Sequence, residues 1–227
     1  MAQNIKKFPQ PLPVPPACIP QAVSHERHGK KRIDPYDFLR QPNWLPGRQN
    51  ENEVSDEIIN LLRAENDYAE RLLAPVKGLR DELFEEMKGR IKENDDSVPA
   101  KDGPFEYFSR YETGKEYAIF CRRKIESNEE EILLDINVLA EGKSYFQVSG
   151  IGHSPDHKIL GYGFDETGDE KYVLVFKNLE TGEMLSDRFE NTSAGWDFFN
   201  DSKTIAYVLV DDNNRPSKVK THLLGTD

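Results

Sequence analysis

The chain has 227 residues, 31% of them charged and 37% of the nine hydrophobic types, while 12 Phe, 9 Tyr and 2 Trp argue against wholesale disorder. No stretch approaches the ~20 apolar residues that span a bilayer, which excludes an integral helical membrane protein. The net charge of −11 is lopsided: residues 1–50 hold eight Lys/Arg against three Asp/Glu, and the remainder holds 22 against 38, an acidic body that repels phosphate backbones and speaks against nucleic acid as a partner.

From the N-terminus, residues 8–20 (FPQPLPVPPACIP) contain six prolines, and proline fixes φ and removes a donor, so residues 1–51 are expected to form an extended, Pro-rich arm. The first thirty residues carry no apolar leader segment, and Cys18 and Cys121 lie too far apart for a disulfide scaffold or a zinc site; both features predict a cytoplasmic protein. Asp34-Pro35 opens a turn, after which Tyr36, Phe38 and Leu39 need an apolar surface, and Arg32 beside Asp34 and Asp37 predicts a local ion pair.

Residues 52–93 switch to helical period. Val54, Ile58, Leu61, Leu62, Tyr68, Ala69, Leu72 and Leu73 form one apolar stripe; Val76, Leu79, Leu83, Met87 and Ile91 form another. Pro75 breaks a continuing helix but suits the first turn of a new one, so two amphipathic helices are predicted over 54–73 and 75–92.

Beyond Pro99 the period becomes two. Phe105–Tyr111, Tyr117–Arg122, Glu131–Asp135, Lys158–Phe164, Lys171–Phe176, Lys203–Val210 and Ser217–Leu224 read as short antiparallel strands separated by turn residues such as Thr113-Gly114 and Thr167-Gly168. The segment from Ser154 to Tyr162 aligns with that from Asn200 to Tyr207: Asp156 matches Asp201, Lys158 matches Lys203 and Tyr162 matches Tyr207, each at an offset of 45. A four-stranded propeller blade repeats every ~40–50 residues, so residues 94–227 are expected to be a partial β-propeller with blades from about residue 100. The predicted fold class is mixed α and β: an arm and two amphipathic helices, then the first two to three antiparallel blades of an incomplete propeller.

No catalytic, cofactor-binding or metal-ligating residue is assigned. A nucleophile elbow needs glycines on both sides of the serine, so that a strained strand-to-helix turn can expose the hydroxyl. Ser193 lacks the leading glycine, and Ser154 is followed by Pro155 and Asp156, so both read as turn residues. His153, Asp156 and His157 cluster, as do His25 and His28, but Pro155 places the first group at a hairpin where helical convergence of ligands is unavailable, and loop histidines are the expectation. Cys121 falls in an alternating strand and reads as a small buried hydrophobe. No glycine-rich phosphate loop is present, so no cofactor is expected.

The order of these features nevertheless resembles a family. Arg32-x-Asp34-Pro35-Tyr36-x-Phe38-Leu39-Arg40, Glu65-Asn66-x-Tyr68 and Leu83-Phe84-Glu85-Glu86-Met87-Lys88-Gly89-Arg90 are similar to the entry region of the prolyl oligopeptidase family of serine peptidases. Asp102-Gly103-Pro104-Phe105, Ser109-Arg110-Tyr111-Glu112, Cys121-Arg122-Arg123, Glu131-Ile132-Leu133-Leu134-Asp135-x-Asn137 and Thr167-Gly168-Asp169-Glu170 resemble its oligopeptidase B branch. Two departures stand out: Phe38 where the family usually has Trp, and Gln41 where it has Asp. The resemblance implies an N-terminal arm and helices, a propeller acting as a size filter, and a C-terminal α/β-hydrolase domain as partner, carrying a Ser-Asp-His triad that cleaves short basic peptides after Arg or Lys. The triad would lie downstream of these residues, so this chain alone is expected to be inactive and its helical stripes to lack their usual cover. A fragment, a split product or a decayed copy fits that expectation, and the alternative function is a non-catalytic propeller-type interaction protein.

Overall fold

The structure, a computed structural model, describes residues 12–40 and 50–226. The chain divides into two units, Met1–Ile91 and Lys92–Asp227.

In the first unit, the described part of the proline run, residues 12–22, forms neither helix nor strand. Strands β1 (Val23–Arg27) and β2 (Lys30–Asp34) then make an antiparallel hairpin with Arg27 opposite Lys30. The connecting His28 and Gly29 have φ of 53° and 72°, the left-handed pair that a two-residue hairpin turn requires. This hairpin lies within the region read as an extended arm. Both strands are polar and exposed, so no alternating apolar signal marks them. Asp34 accepts from the Tyr36 N–H at 3.0 Å and Asp37 meets His25 Nε2 at 3.1 Å, in place of the ion pair expected with Arg32. Gln41 falls outside the described residues.

Helix α1 (Asp56–Leu73) opens with Asp56 and Glu57, whose charges favour the positive end of the helix dipole. Pro75 cannot supply an N–H to the ladder, and Ala74–Val76 tighten into a 3-10 turn before α2 (Lys77–Gly89). Ile58 is the buried side chain of α1 and α2 buries none. Leu79 and Leu83 are exposed, with Phe84 at 62% and Met87 at 66%, so the apolar stripe of α2 is uncovered, whereas Leu61, Tyr68 and Leu72 of α1 are half-buried.

The second unit opens with a four-stranded antiparallel meander, β3 (Ala100–Asp102), β4 (Phe105–Arg110), β5 (Ile119–Lys124) and β6 (Glu130–Asp135). A short helix, α3 (Ile136–Ala140), leads out of it. Here Asn137 clamps the Tyr117 backbone, accepting from its N–H and donating to its carbonyl, both at 2.9 Å. The second sheet runs in sequence order through β7 (Gln147–His153), β8 (Ile159–Asp165), β9 (Tyr172–Asn178), β10 (Met184–Phe198), β11 (Thr204–Val210) and β12 (Pro216–Leu223). Strand β10 pairs with β9 from Met184 to Thr192 and with β11 from Thr192 to Phe198, its register breaking on both sides of Thr192. Such irregularities bend a strand, letting it leave one neighbour for the next. Strands β3, β7 and β10 were not foreseen from sequence. Glycines interrupt β7, and β10 is mostly polar, so neither carries a clean apolar alternation.

The repeated segment folds as a repeat. Tyr162 and Tyr207 are each the fourth residue of β8 and β11, and both are buried. In the preceding turns, His157 and Ser202 both have φ of 61°. Asp156 accepts from the Lys158 N–H and Asp201 from the Lys203 N–H, at 3.2 and 3.0 Å. The two turns also touch, the Asp156 N–H donating to Ser202 Oγ at 3.0 Å, and at the opposite strand ends Asn214 Nδ2 donates to the Asp169 carbonyl at 2.7 Å.

Two apolar clusters lie on the two faces of the β8–β9 region. Leu133, Leu134, Phe146, Leu160, Tyr162 and Val175 form one, and Leu174, Phe176, Ile205 and Tyr207 form the other. Alternation along β9 sends Val175 one way and Leu174 and Phe176 the other, so this strand is apolar on both faces. By contrast β12 is almost wholly exposed, with Val219 at 71%.

The side-by-side packing depends on glycine. Trp196 lies over Gly152 and Gly161 and donates its indole N–H to the Gly150 carbonyl, while Phe176 meets the indole edge-on at 5.5 Å. A Cβ on Gly161 would overlap the indole and stand 2.8 Å from the Phe176 ring. Gly161→Ala is therefore expected to lower unfolding free energy by roughly 1–3 kcal/mol in urea melts; an unchanged midpoint would refute this packing role.

Four carboxylates, Asp156, Asp165, Asp201 and Asp211, cap the turns and are held below the usual carboxylate range. For Asp165 burial pushes the other way, but the N–H groups of Thr167, Gly168 and Glu170 and the Thr167 hydroxyl outweigh it. A depressed folded pKa means that the stabilisation is full above the unfolded value of ~3.9 and is lost as pH falls through the lowered one. Asp165→Asn should thus be less stable than the native chain at pH ~7, with the gap closing below pH ~4 in denaturant titrations.

Candidate functional site

A polar cluster forms where β3 and β4 approach the β7–β8 turn. Arg122 on β5 is only 6% exposed. It donates to Glu131 Oε2 at 2.7 Å and to the His157 carbonyl at 2.6 Å, and its guanidinium lies 4.2 Å from the centre of the Phe105 ring. Opposite charge, a carbonyl and an aromatic face together satisfy a cation that burial would otherwise penalise. Tyr107 Oη bonds His157 Nδ1 at 2.9 Å, and the Tyr107 ring stacks on His153 at 4.1 Å. His153 Nε2 faces Asp102 Oδ2 at 3.4 Å. Burial, and then the neighbouring His153, hold the His157 ring below its ordinary pKa.

Of the sequence cluster His153, Asp156 and His157, the two histidines do converge, but Asp156 turns away to cap its own turn and Asp102 from the β3–β4 turn takes its place. Nothing local in the sequence couples Asp102 to His153, because only the packing of one sheet beside the other brings them together. His25 pairs with Asp37 and His222 with Asp187. Ser154 is fully buried in its turn, donating to Asp156 and accepting from the N–H groups of Lys158 and Ile159. Ser193, expected in a turn, instead lies within β10, where its Oγ accepts from the Gly195 N–H across the register break that follows Thr192. Burial pushes the Cys121 thiol up to about 11, leaving it an unreactive, apolar-packed thiol at neutral pH. Cys121 lines an apolar cleft with Val98, Phe108, Phe120, Ile151 and Leu160, which Tyr107 and His153 also line.

Antiparallel sheets packed side by side in sequence order, with a matched turn and strand repeat and polar ties at both ends, define a β-propeller-like architecture whose sheets are not closed into a ring among the described residues. Residues 15–227 match the family described as prolyl oligopeptidase, N-terminal beta-propeller domain, and the chain belongs to it. It is 37% identical to dipeptidyl aminopeptidase BI of Pseudoxanthomonas mexicana over 88% of this chain and 29% of that protein. It is 34% identical to Protease 2 of Moraxella lacunata over 89% of this chain and 29% of that one. The structure of oligopeptidase B from Leishmania major superposes with a TM-score of 0.77 at 25% identity, covering 94% of this chain and 31% of that one. The chain thus spans under a third of the length of the relatives it matches. No described helix is long and apolar enough to cross a membrane.

Arg122→Lys keeps the charge but replaces a planar fork, whose Nε serves Glu131 and whose Nη1 serves the His157 carbonyl, with a single point donor. A loss of about 1.5–3 kcal/mol in unfolding free energy is expected in denaturant melts, and a neutral outcome would show that the fork is dispensable.

Proposed function

We propose that this chain supplies the arm (1–51), helical pair (52–93) and propeller section (94–227) of a serine oligopeptidase of the oligopeptidase B type. It acts in the cytoplasm with an α/β-hydrolase domain that cleaves short peptides after Arg or Lys. In this reading β3–β6 form one blade, β7–β9 with the first half of β10 a second, and the rest of β10 with β11 and β12 three strands of a third. The observation that carries it is the family match across residues 15–227, joined to a turn and strand unit that recurs at an offset of 45. The uncovered helical stripe supports a domain partner, since exposed contiguous apolar surface marks an interaction site. Unpaired thiols at Cys18 and Cys121 support a reducing compartment.

A second reading follows from the 37% identity to a protein named a dipeptidyl aminopeptidase: the assembled enzyme releases dipeptides from a free N-terminus instead of cutting internally. Acyl transfer by this chemistry needs a base-activated serine and preorganised oxyanion donors, whereas Ser154 is committed to its turn and Ser193 to strand β10. The purified 227-residue chain is therefore expected to leave an arginyl or lysyl amide reporter intact. Co-expression with the hydrolase half of the Pseudoxanthomonas relative is expected to produce turnover. Cleavage of N-blocked reporters favours the first reading, and cleavage only of free-amine dipeptidyl reporters favours the second. Turnover by the chain alone, stopped by a serine-directed probe attached within it, would overturn both. Binding of the half without turnover would favour a non-catalytic interaction protein.

A further inference from the structure

Asp102, His153 and His157 each offer one donor atom, and these atoms all lie within 4.8 Å of one another. They come from two hairpin turns of different sheets, so a ligand that joined them would tie those sheets together. His153 Nδ1 lies 3.0 Å from the Ser154 carbonyl, an acceptor only, so that nitrogen carries the ring proton and the lone pair sits on Nε2. That lone pair faces the Asp102 carboxylate at 3.4 Å, too long for a good hydrogen bond and repulsive unless something positive lies between. A proton could do so, making an imidazolium; so could a metal ion. For ligands at ~2.0–2.1 Å around a tetrahedral zinc, neighbouring donor atoms sit roughly 3.4 Å apart, which is the separation of Asp102 Oδ2 and His153 Nε2.

His157 is held in the same sense. Its Nδ1 is engaged by Tyr107 Oη at 2.9 Å, the kind of outer partner that fixes the ring of a ligating histidine. In the tautomer whose Nδ1–H donates to the phenol oxygen, Nε2 carries the lone pair that can ligate. Residue 103 is glycine, and a Cβ there would stand 2.5 Å from His157 Nε2, so a side chain at this position would collide with the ligating atom. Two imidazoles and one carboxylate suit zinc and its late first-row neighbours and leave a fourth position for water.

We propose that Asp102, His153 and His157 form a zinc site that clips the β3–β4 turn to the β7–β8 turn. The role is structural: the ion cross-links the four-stranded sheet to the six-stranded one and replaces the repulsion between Asp102 and His153 with shared coordination. It does not depend on which peptidase reading holds, because no catalytic group takes part.

The full 227-residue chain, stripped with chelator, should be titrated with zinc chloride by calorimetry and with cobalt(II) by visible absorption. Expected are one zinc per chain, the intense bands of four-coordinate cobalt, and a melting temperature raised by roughly 5–10 °C at saturating zinc. Asp102 is 61% exposed at its side chain, so Asp102→Asn should fold normally while weakening zinc binding more than tenfold. His153→Gln should do likewise, and a double His25→Ala, His28→Ala variant should bind as the native chain does. Absence of zinc uptake, uptake unaltered by Asp102→Asn, or cobalt spectra without four-coordinate bands would each overturn the proposal.

Discussion

Sheets stacked side by side around an axis must pack flat faces together although each is twisted, and in this chain that problem is solved by an indole laid on glycines. Trp196 reaches Gly150, Gly152 and Gly161, and none of these offers a Cβ to hold the ring away. Phe176 can then sit fully buried with its ring against the indole, and Phe198 joins the same edge-to-face group. Aromatic pairs in this arrangement gain from the quadrupole as well as from burial. Everything outward from this contact follows: β9 is apolar on both faces because both of its faces have neighbours, and the two hydrophobic clusters take their separate places on either side of it.

Polar groups then fix the ends of the stack. Four successive hairpin turns, from β8–β9 to β11–β12, are closed by a carboxylate or an amide accepting from backbone N–H groups, those of Asp165, Asn178, Asp201 and Asp211. Neighbouring turns are linked in turn, Asp156 to Ser202 at one end and Asn214 to Asp169 at the other. Such bonds add little net energy singly, but leaving the same groups buried and unpaired would be costly, so they select one register over its slipped alternatives. The same logic explains Arg122: a buried guanidinium is tolerable because Glu131, the His157 carbonyl and the Phe105 face all meet it. The histidine cluster lies where these ties leave room beside an apolar cleft.

The first unit has the opposite character. Its helices bury one side chain, Ile58, and present Leu79, Leu83, Phe84 and Met87 to solvent. A helix pair of this composition gains little stability from its own contacts, since helical stability in proteins comes mainly from packing an amphipathic face. The family to which the chain belongs has matched relatives of which it spans under a third.

Elements with a strong internal period were legible in the residues themselves. The stripe from Ile58 to Leu73, the break at Pro75 and the apolar, β-branched or aromatic runs at β4, β5, β8, β9 and β11 were legible to within a few residues, because hydrophobic pattern and turn chemistry are local properties. The offset of 45 between Tyr162 and Tyr207 was likewise visible, and so was the family resemblance. The β1–β2 hairpin, β7 and β10 were not. Their residues are polar or glycine, and they become strands only because a neighbour supplies the ladder. Gly161 reads as a mere weakness in a strand until Trp196, 35 residues on, is seen to need its bare Cα. Asp102 and His153 lie on separate hairpins, and the sequence carries no period that relates them. Local pattern determined which segments are helix and strand; only the side-by-side packing of the sheets decided which polar side chains meet, because that choice is made by contacts distant in sequence.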